Sequence, residues 1–271
     1  MNLSYSLDKI KAKVVVANIL VLLLSACSGM QPTEYADNAK NLPDAQASVT
    51  AVAPLGIPLG SVSLLESRGQ ARISSAEANT SFLPLSAYFE TQKNQAFCAV
   101  ASSVIILNAL NIQRPKNRFY PDFPYFNQDE FFNSIDPKLA NPETVSKEGM
   151  TFEQLAAVLR QFPVSVSAYR GDTLSVDKFR ETIRSALSSK DQFALLNFFR
   201  PSIGEVGVGH WSPLAAFDAK SDSVLVLDVA RYKYPPLWVP VTKLYEGAQK
   251  VDNTSGVARG LLVIQKQAGI N

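Results

Sequence analysis

The sequence is poor in the residues that build metal sites. Its 271 residues include only two cysteines, Cys27 and Cys98, and one histidine, His210. A tetrahedral zinc site made of thiolates and imidazoles needs four such ligands. This chain cannot supply them without carboxylates, so we expect no metal-ligand set and no tightly bound cofactor.

The chain also lacks an excess of charge of either sign. It has 26 basic and 24 acidic residues, and three lysines and one aspartate of these lie in the first 26 residues. The remainder therefore carries 23 residues of each sign and is neutral. Proteins that bind nucleic acids usually concentrate Lys and Arg on one face, so we expect no nucleic-acid partner.

Extremes of composition are absent too. Hydrophobic residues make up 46% of the chain and charged residues 18%, as in ordinary globular proteins. A core of about 200 residues buries enough apolar surface to fold without disulfides or a structural metal.

The N-terminus predicts export. The three lysines lie within residues 1–13, and residues 14–24 are almost wholly apolar. A basic stretch followed by a short apolar run is typical of a signal peptide, here residues 1–26. The run is too short to cross a bilayer comfortably. A buried helix is the alternative, but the run lacks amphipathic spacing.

The end of this run predicts a lipid anchor. Residues 24–27, which end at Cys27, resemble the lipobox of bacterial lipoproteins, in which the cysteine is acylated. An ordinary signal peptide with a coincidental cysteine is the alternative. Because Ser28 follows Cys27, the resemblance implies sorting to the periplasmic face of the outer membrane. Acylation of Cys27 leaves Cys98 as the sole free thiol.

The rest of the chain is expected to contain one domain of the α+β class. Residues 27–54 are rich in small and polar residues and predict a flexible tether, and apolar density stays high from residue 55 onward, which predicts a catalytic domain over residues 55–271. Helices are predicted over residues 99–110, 150–159 and 177–187, and strands over residues 193–198, 211–217, 223–229 and 260–264. Helices precede strands, which favours α+β.

Cys98 is the candidate nucleophile. It begins a buried helix, and the N–H groups at a helix N-terminus stabilise a thiolate. A small apolar residue that fills the core is the alternative. Gln92, six residues upstream, is placed to join the Cys98 backbone N–H in binding an oxyanion.

His210 and Asp228 are the candidate base and its orienting acid. If residues 211–217 and 223–229 form a hairpin centred near Ala219, residue 210 lies opposite about residue 228. Asp228 then accepts a hydrogen bond from one ring nitrogen while the other faces Cys98. The alternative is a surface histidine and an unrelated acid at a strand end.

Three segments that contain these residues, 92–102, 209–216 and 227–239, resemble phytochelatin synthases. The likeness extends from about Leu55 to Ile264. It implies a papain-like cysteine protease fold, in which a helical N-terminal part carries the nucleophile helix and the C-terminal part carries an antiparallel sheet. Cys98, His210 and Asp228 match the family's catalytic residues, and Gln92 matches its oxyanion donor.

The resemblance also implies an activity. The family's cysteine attacks the Cys–Gly bond of glutathione, releases glycine and passes the γ-glutamylcysteinyl group to a second glutathione or to water. The resemblance implies that Arg259 and Asp252 hold the γ-glutamyl head group and that Tyr232 also contacts substrate. Heavy metals such as Cd and Zn would enter as metal–glutathione thiolates. The short C-terminal end resembles bacterial members, in which hydrolysis rivals synthesis, and a homodimer is one expected state.

Two other functions remain open from the sequence. A lipid-anchored Cys–His peptidase of the cell wall would use the same three residues, although such enzymes more often have a basic face. A binding lipoprotein that captures thiol peptides or metals would use no catalysis at all.

Overall fold

An antiparallel sheet of seven strands organises the part of the chain that the structure describes. The computed structural model describes residues 55–114, 116, 118 and 120–267. The strands are β1 (Val62–Ser63), β2 (Val164–Arg170), β3 (Gln192–Phe199), β4 (Gly209–Asp218), β5 (Ser223–Val226), β6 (Leu237–Pro240) and β7 (Gly260–Lys266). Their spatial order is β1-β6-β5-β4-β3-β7-β2, and every neighbouring pair is antiparallel.

Helices cover both faces of this sheet. They are α1 (Ser67–Ser75), α2 (Phe82–Ala87), α3 (Cys98–Ala109), α4 (Pro142–Glu148), α5 (Phe152–Leu159), α6 (Val176–Leu187) and α7 (Val241–Gln249). Along β3, Phe193 and Leu195 pack in one core with α3 and α5, while Ala194 and Leu196 pack in a second core with α6 and α7. Successive side chains of a strand point to opposite faces, so a strand that is buried on both faces, such as β3, is mostly apolar.

Helix α3 is the most deeply buried helix in the site region. Every residue from Cys98 to Asn108 is buried, which explains why its sequence shows no polar face. The chain leaves the helix through Asn111, whose φ of 50° is left-handed. Asn tolerates this conformation better than most residues, so the chain can turn away from the helix here.

Helix α5 begins with a side-chain cap at Thr151. The Thr151 side chain accepts a hydrogen bond from the backbone N–H of Gln154 at 3.2 Å, which satisfies one of the unpaired donors of the first turn. The next long helix, α6, has the same device at Ser175.

The predicted class is confirmed at the level of mixed helices and an antiparallel sheet, with differences in detail. All three predicted helices and all four predicted strands exist within a few residues of the expected bounds. Helices α1, α2, α4 and α7 and strands β1, β2 and β6 were not predicted. Each of these elements is short, which leaves few residues from which to read a period.

The predicted hairpin register was wrong. Strands β4 and β5 pair Asp218 with Ser223 and Phe217 with Val224, so the turn is centred beyond Ala219. A bulge between Leu214 and Ala216 shifts the register, and strand β5 ends at Val226. A bulge inserts an extra residue into one strand, which counting along the sequence does not reveal.

No helix among the described residues is long and apolar enough to cross a membrane. The predicted signal peptide, residues 1–26, and the predicted tether, residues 27–54, lie outside the described residues. Cys27 therefore lies outside them as well.

Candidate active site

Cys98 is the first residue of helix α3, as predicted. Its thiol is buried and is hydrogen-bonded to His210 and to the backbone N–H groups of Trp211 and Ala99. Burial raises the pKa of the thiol, but these hydrogen bonds and the charge of His210 outweigh burial, so the pKa of Cys98 lies below its ordinary value. The thiolate is the reactive form of cysteine.

His210, at the start of β4, connects Cys98 to Asp228. Its Nε2 lies 2.8 Å from Oδ1 of Asp228, which leaves Nδ1 for the thiol. Burial lowers the pKa of the imidazole, but the negative charge of Asp228 and the hydrogen bonds to Asp228 and Cys98 raise it above its ordinary value overall. A low thiol pKa beside a high imidazole pKa favours a thiolate–imidazolium pair.

Asp228 lies just after β5 and is surrounded by donors. Besides His210, it accepts hydrogen bonds from both terminal nitrogens of Arg200, at 2.8 and 3.0 Å, and from the backbone N–H of Ala230 at 2.8 Å. Burial raises the pKa of the carboxyl, but His210 and Arg200 hold it well below its usual range. Asp228 is therefore ionised, as an orienting acid must be.

Arg200 and Glu205 complete a buried series of charges that the sequence analysis missed. Arg200 follows β3 and forms an ion pair with Glu205 as well as with Asp228. Both residues are at most 5% exposed. Burial raises the pKa of Glu205 to about 7, although the positive charge of Arg200 opposes this shift. A charged residue directly after a mostly apolar strand is the one sequence signal that points to Arg200.

Gln92 is buried and hydrogen-bonded to two neighbours. Its Nε2 donates to the backbone oxygen of Asn94 at 2.7 Å and to the hydroxyl oxygen of Tyr232 at 3.1 Å. The backbone N–H of Gln92 donates to Val229, one residue after Asp228. Tyr232 is thereby linked to the loop that leads into Cys98.

A cleft of about 690 Å³ opens beside Cys98 and His210. Arg259 and Asp252 line the same cleft, with Nη2 of the arginine 3.4 Å from Oδ1 of the aspartate. A second contact orients Arg259, which donates from Nη1 to Oδ1 of Asn197 at 2.9 Å. Burial lowers the pKa of Arg259 below its ordinary value, and a desolvated guanidinium is a strong carboxylate ligand.

Trp211 fixes the sheet against the helices beside the site. Its indole N–H donates to the backbone oxygen of Met150 at 3.0 Å, and its ring stacks on Phe152 with centroids 6.0 Å apart. Its backbone oxygen accepts a hydrogen bond from Ser102 of helix α3 at 3.3 Å. The residue after the candidate base therefore joins β4 to both neighbouring helices.

Within the described part of the chain, no group of three or more His, Cys, Asp or Glu side chains is arranged to hold a metal ion. The buried carboxylates near Cys98, those of Asp228 and Glu205, form ion pairs with Arg200 and His210.

A thiol, an imidazole and a carboxylate in one hydrogen-bonded series is the arrangement that enzymes with a cysteine nucleophile use for acyl transfer. This geometry agrees with the matches to known sequences. A family model described as phytochelatin synthase matches residues 53–261. The chain belongs to the phytochelatin synthase family.

Several curated relatives are similar to this chain. Glutathione gamma-glutamylcysteinyltransferase 3 of Lotus japonicus is 34% identical over 185 residues, which cover 68% of this chain and 37% of the relative. Glutathione gamma-glutamylcysteinyltransferase 1 of Arabidopsis thaliana is 31% identical over 185 residues, with the same coverage. The enzyme of that name from Schizosaccharomyces pombe is 27% identical over 184 residues, 68% of this chain and 43% of the relative. The chain thus spans well under half of each relative's length.

Proposed function

We propose that this protein transfers the γ-glutamylcysteinyl group of glutathione through a thioester on Cys98. One observation carries the proposal. Cys98, His210 and Asp228 form one buried hydrogen-bonded series, and that series opens into a cleft that also contains a guanidinium and a carboxylate. The names of the relatives supply the substrate class.

The reaction requires two acyl transfers. The Cys98 thiolate attacks the carbonyl carbon of the Cys–Gly amide, the S–C bond forms, and the C–N bond breaks. The His210 imidazolium gives its proton to the departing glycine amine. Water or the amine of a second glutathione then attacks the thioester and loses a proton to His210, and the thiolate of Cys98 is restored.

Arg259 and Asp252 suit the head group of the substrate. The γ-glutamyl group carries an α-carboxylate and an α-ammonium, which would bind to Arg259 and Asp252 respectively. In the structure the two side chains face one another at 3.4 Å, so a zwitterion placed beside them would find both of its counter-charges in one corner of the cleft.

Gln92 is the proposed side-chain donor to the oxyanion, together with the backbone N–H of Cys98. Both amide hydrogens of Gln92 have acceptors in the structure. The longer bond, to Tyr232, is the one that would be exchanged for the oxyanion. This gives Tyr232 a role at the substrate: its hydroxyl holds the amide in place until the acyl group arrives.

The proposal extends to the setting of the enzyme. We propose that the observed α+β fold is of the papain-like type, in which a nucleophile helix packs on an antiparallel sheet. Acylation of Cys27 would anchor the chain at the periplasmic face of the outer membrane. Cadmium or zinc would enter as part of a metal–glutathione thiolate, as substrate, and two chains would associate as a homodimer.

Product analysis tests the proposal. Purified protein is incubated with glutathione, with and without cadmium, and glycine and peptides are quantified while the intact protein is weighed by mass spectrometry. We expect free glycine and a γ-glutamylcysteinyl adduct that Cys98→Ala abolishes. Longer γ-glutamylcysteine peptides indicate transfer, and γ-glutamylcysteine alone indicates hydrolysis. The proposal would be refuted if the protein cleaved cell-wall peptides and did not react with glutathione.

A further inference from the structure

The proposed reaction uses Cys98, His210 and Asp228, but the buried series of charges continues beyond them. Arg200 contacts Asp228 through two nitrogens, and the same guanidinium forms an ion pair with Glu205. Neither Arg200 nor Glu205 lines the cleft. The hydrogen bonds that connect them to the reacting groups run through Asp228.

The loop between β3 and β4 is built around Arg200. Backbone hydrogen bonds run from Arg200 N–H to the oxygen of Val208 at 3.0 Å and from Glu205 N–H to the oxygen of Arg200 at 3.1 Å. A Cβ at Gly207, where φ is 137°, would lie 2.8 Å from Cδ of Arg200. Only glycine combines that φ with that close approach.

Tyr234 holds the other side of the loop. Its hydroxyl oxygen accepts a hydrogen bond from the backbone N–H of Val206 at 2.8 Å. The Arg200 guanidinium carbon lies 5.6 Å from the centre of its ring. Arg200 thus has a fixed position that does not depend on Asp228, and a fixed bidentate donor can hold a carboxylate in one orientation.

Burial makes these pairs interdependent. Removing one partner of a buried ion pair leaves an uncompensated charge, so the charges of Glu205, Arg200 and Asp228 depend on one another. If Glu205 becomes neutral, Asp228 alone balances Arg200, and less of its charge is available to the imidazolium of His210.

We propose that Glu205 is a positioning residue for the acyl-transfer site: it acts through Arg200 on Asp228, and so sets how strongly Asp228 holds His210 as the imidazolium. This inference rests on the proposed function. Glu205 is the outermost charge of the series and is the member with the fewest donors.

The charges that face Glu205 determine the direction of its effect. They are Arg200, which attracts its ionised form, Asp228, which repels it, and His210, which attracts it more weakly. Because the pKa of Glu205 is raised to about 7, the carboxyl ionises across the neutral range. Above that range Glu205 is charged and the thiolate–imidazolium pair is most stable; below it Glu205 is protonated and the pair weakens.

The single histidine makes the inference measurable. His210 is the only histidine in the chain. An isotope label in the imidazole ring of an untagged protein therefore gives an NMR signal that can come only from His210. We expect this signal to shift between about pH 6 and pH 8 with a midpoint near the Glu205 pKa. In Glu205→Gln this pH-dependent shift should vanish, and in Glu205→Asp it should be partly retained.

A second readout is the alkylation rate of Cys98, measured on its own peptide by mass spectrometry. Glu205→Gln should lower the rate at about pH 8 by roughly three- to tenfold, since one pKa unit changes a populated form about tenfold. The exposed pair of Arg184 and Glu181, 2.8 Å apart, supplies the control, and Glu181→Gln should change neither readout. In an Arg200→Lys protein, a further Glu205→Gln substitution should change neither readout.

The outcomes are separable. The inference is overturned if Glu205→Gln changes neither the pH-dependent shift of the His210 signal nor the alkylation rate of Cys98. It is also overturned if Arg200→Lys and Glu205→Gln have additive effects on these readouts. If Glu205→Gln does not fold, the wild-type protein provides the test. A His210 signal that does not shift near pH 7 overturns the inference. Failure to release glycine from glutathione refutes the proposed function instead, because neither readout needs that substrate.

Discussion

A single methyl group at Gly209 should separate substrate binding from thiol chemistry. A Cβ built at Gly209 would lie 2.2 Å from Nη1 of Arg259 and 2.5 Å from its Cζ. The guanidinium would have to move and would lose its hydrogen bond to Asn197 and its approach to Asp252. The Gly209→Ala protein should therefore fold, yet lack an oriented partner for the α-carboxylate of glutathione.

The expected loss can be estimated from that one interaction. A hydrogen bond to a charged group contributes about 1.5–3 kcal/mol, and about 1.4 kcal/mol corresponds to a factor of ten. We expect kcat/KM for glutathione to fall about 10- to 150-fold, chiefly through KM. Alkylation of Cys98 by a small neutral reagent should be unchanged, because the reagent does not need Arg259.

Initial rates of glycine release over a range of glutathione concentrations provide the assay. Gly56→Ala is the matched control, because a Cβ there would meet nothing within 4 Å, and it should leave kinetics unchanged. Wild-type KM in a folded Gly209→Ala protein would refute the assignment of Arg259 to the head group. Slower alkylation of Cys98 would mean that the methyl group disturbs the nucleophile instead.

Three further predictions concern the site and its scaffold. Asp228→Asn should lower kcat by about 10³- to 10⁴-fold with little change in KM, measured by glycine release. Because the pKa of Cys98 is lowered and that of His210 is raised, alkylation of Cys98 should change across the neutral range only by the few-fold effect of Glu205 ionisation. It should fall in acid as the thiolate is protonated and change in alkali as the imidazolium loses its proton. Thr151→Ala should reduce the free energy of unfolding by about 1 kcal/mol, measured by urea denaturation, because the N–H of Gln154 loses its acceptor.

Controls for these changes are available in the same chain. Asp177→Asn alters a carboxylate whose side chain is 87% exposed and should not change kcat. Thr151→Ser keeps the capping hydroxyl and should recover most of the lost stability. A Cys98 alkylation profile identical to that of a free thiol would contradict the thiolate–imidazolium pair.

The candidate nucleophile and the candidate base could be picked out from the sequence because each residue type is scarce. With one histidine and one thiol outside the N-terminal segment, few alternatives remained, and the helix that starts at Cys98 was visible as an apolar run. Asp228 was selected through a hairpin register that is wrong, because the turn is centred beyond Ala219. The contact with His210 nevertheless forms, because the chain beyond β5 stays close to β4: the N–H of Leu227 donates to the oxygen of Pro213.

Arg200 and Glu205 could not be found in this way. In a linear sequence they are two ordinary charges in a loop, and most such charges are exposed. Their burial results from packing between the β3–β4 loop, Tyr234 and the segment after β5, which are far apart along the chain. Contacts of this kind follow from the tertiary structure and leave no local periodicity.

Trp211 gives the site a built-in optical reporter. The chain contains two tryptophans, and Trp211 is the one adjacent to His210, with its indole fixed between strand β4 and the turn at Met150. Indole emission depends on how much water reaches the ring, so separation of the sheet from α3 and α5 would shift the emission wavelength of Trp211. The ring that joins strand β4 to α5 would thereby report whether the strand that carries His210 still packs against the helices.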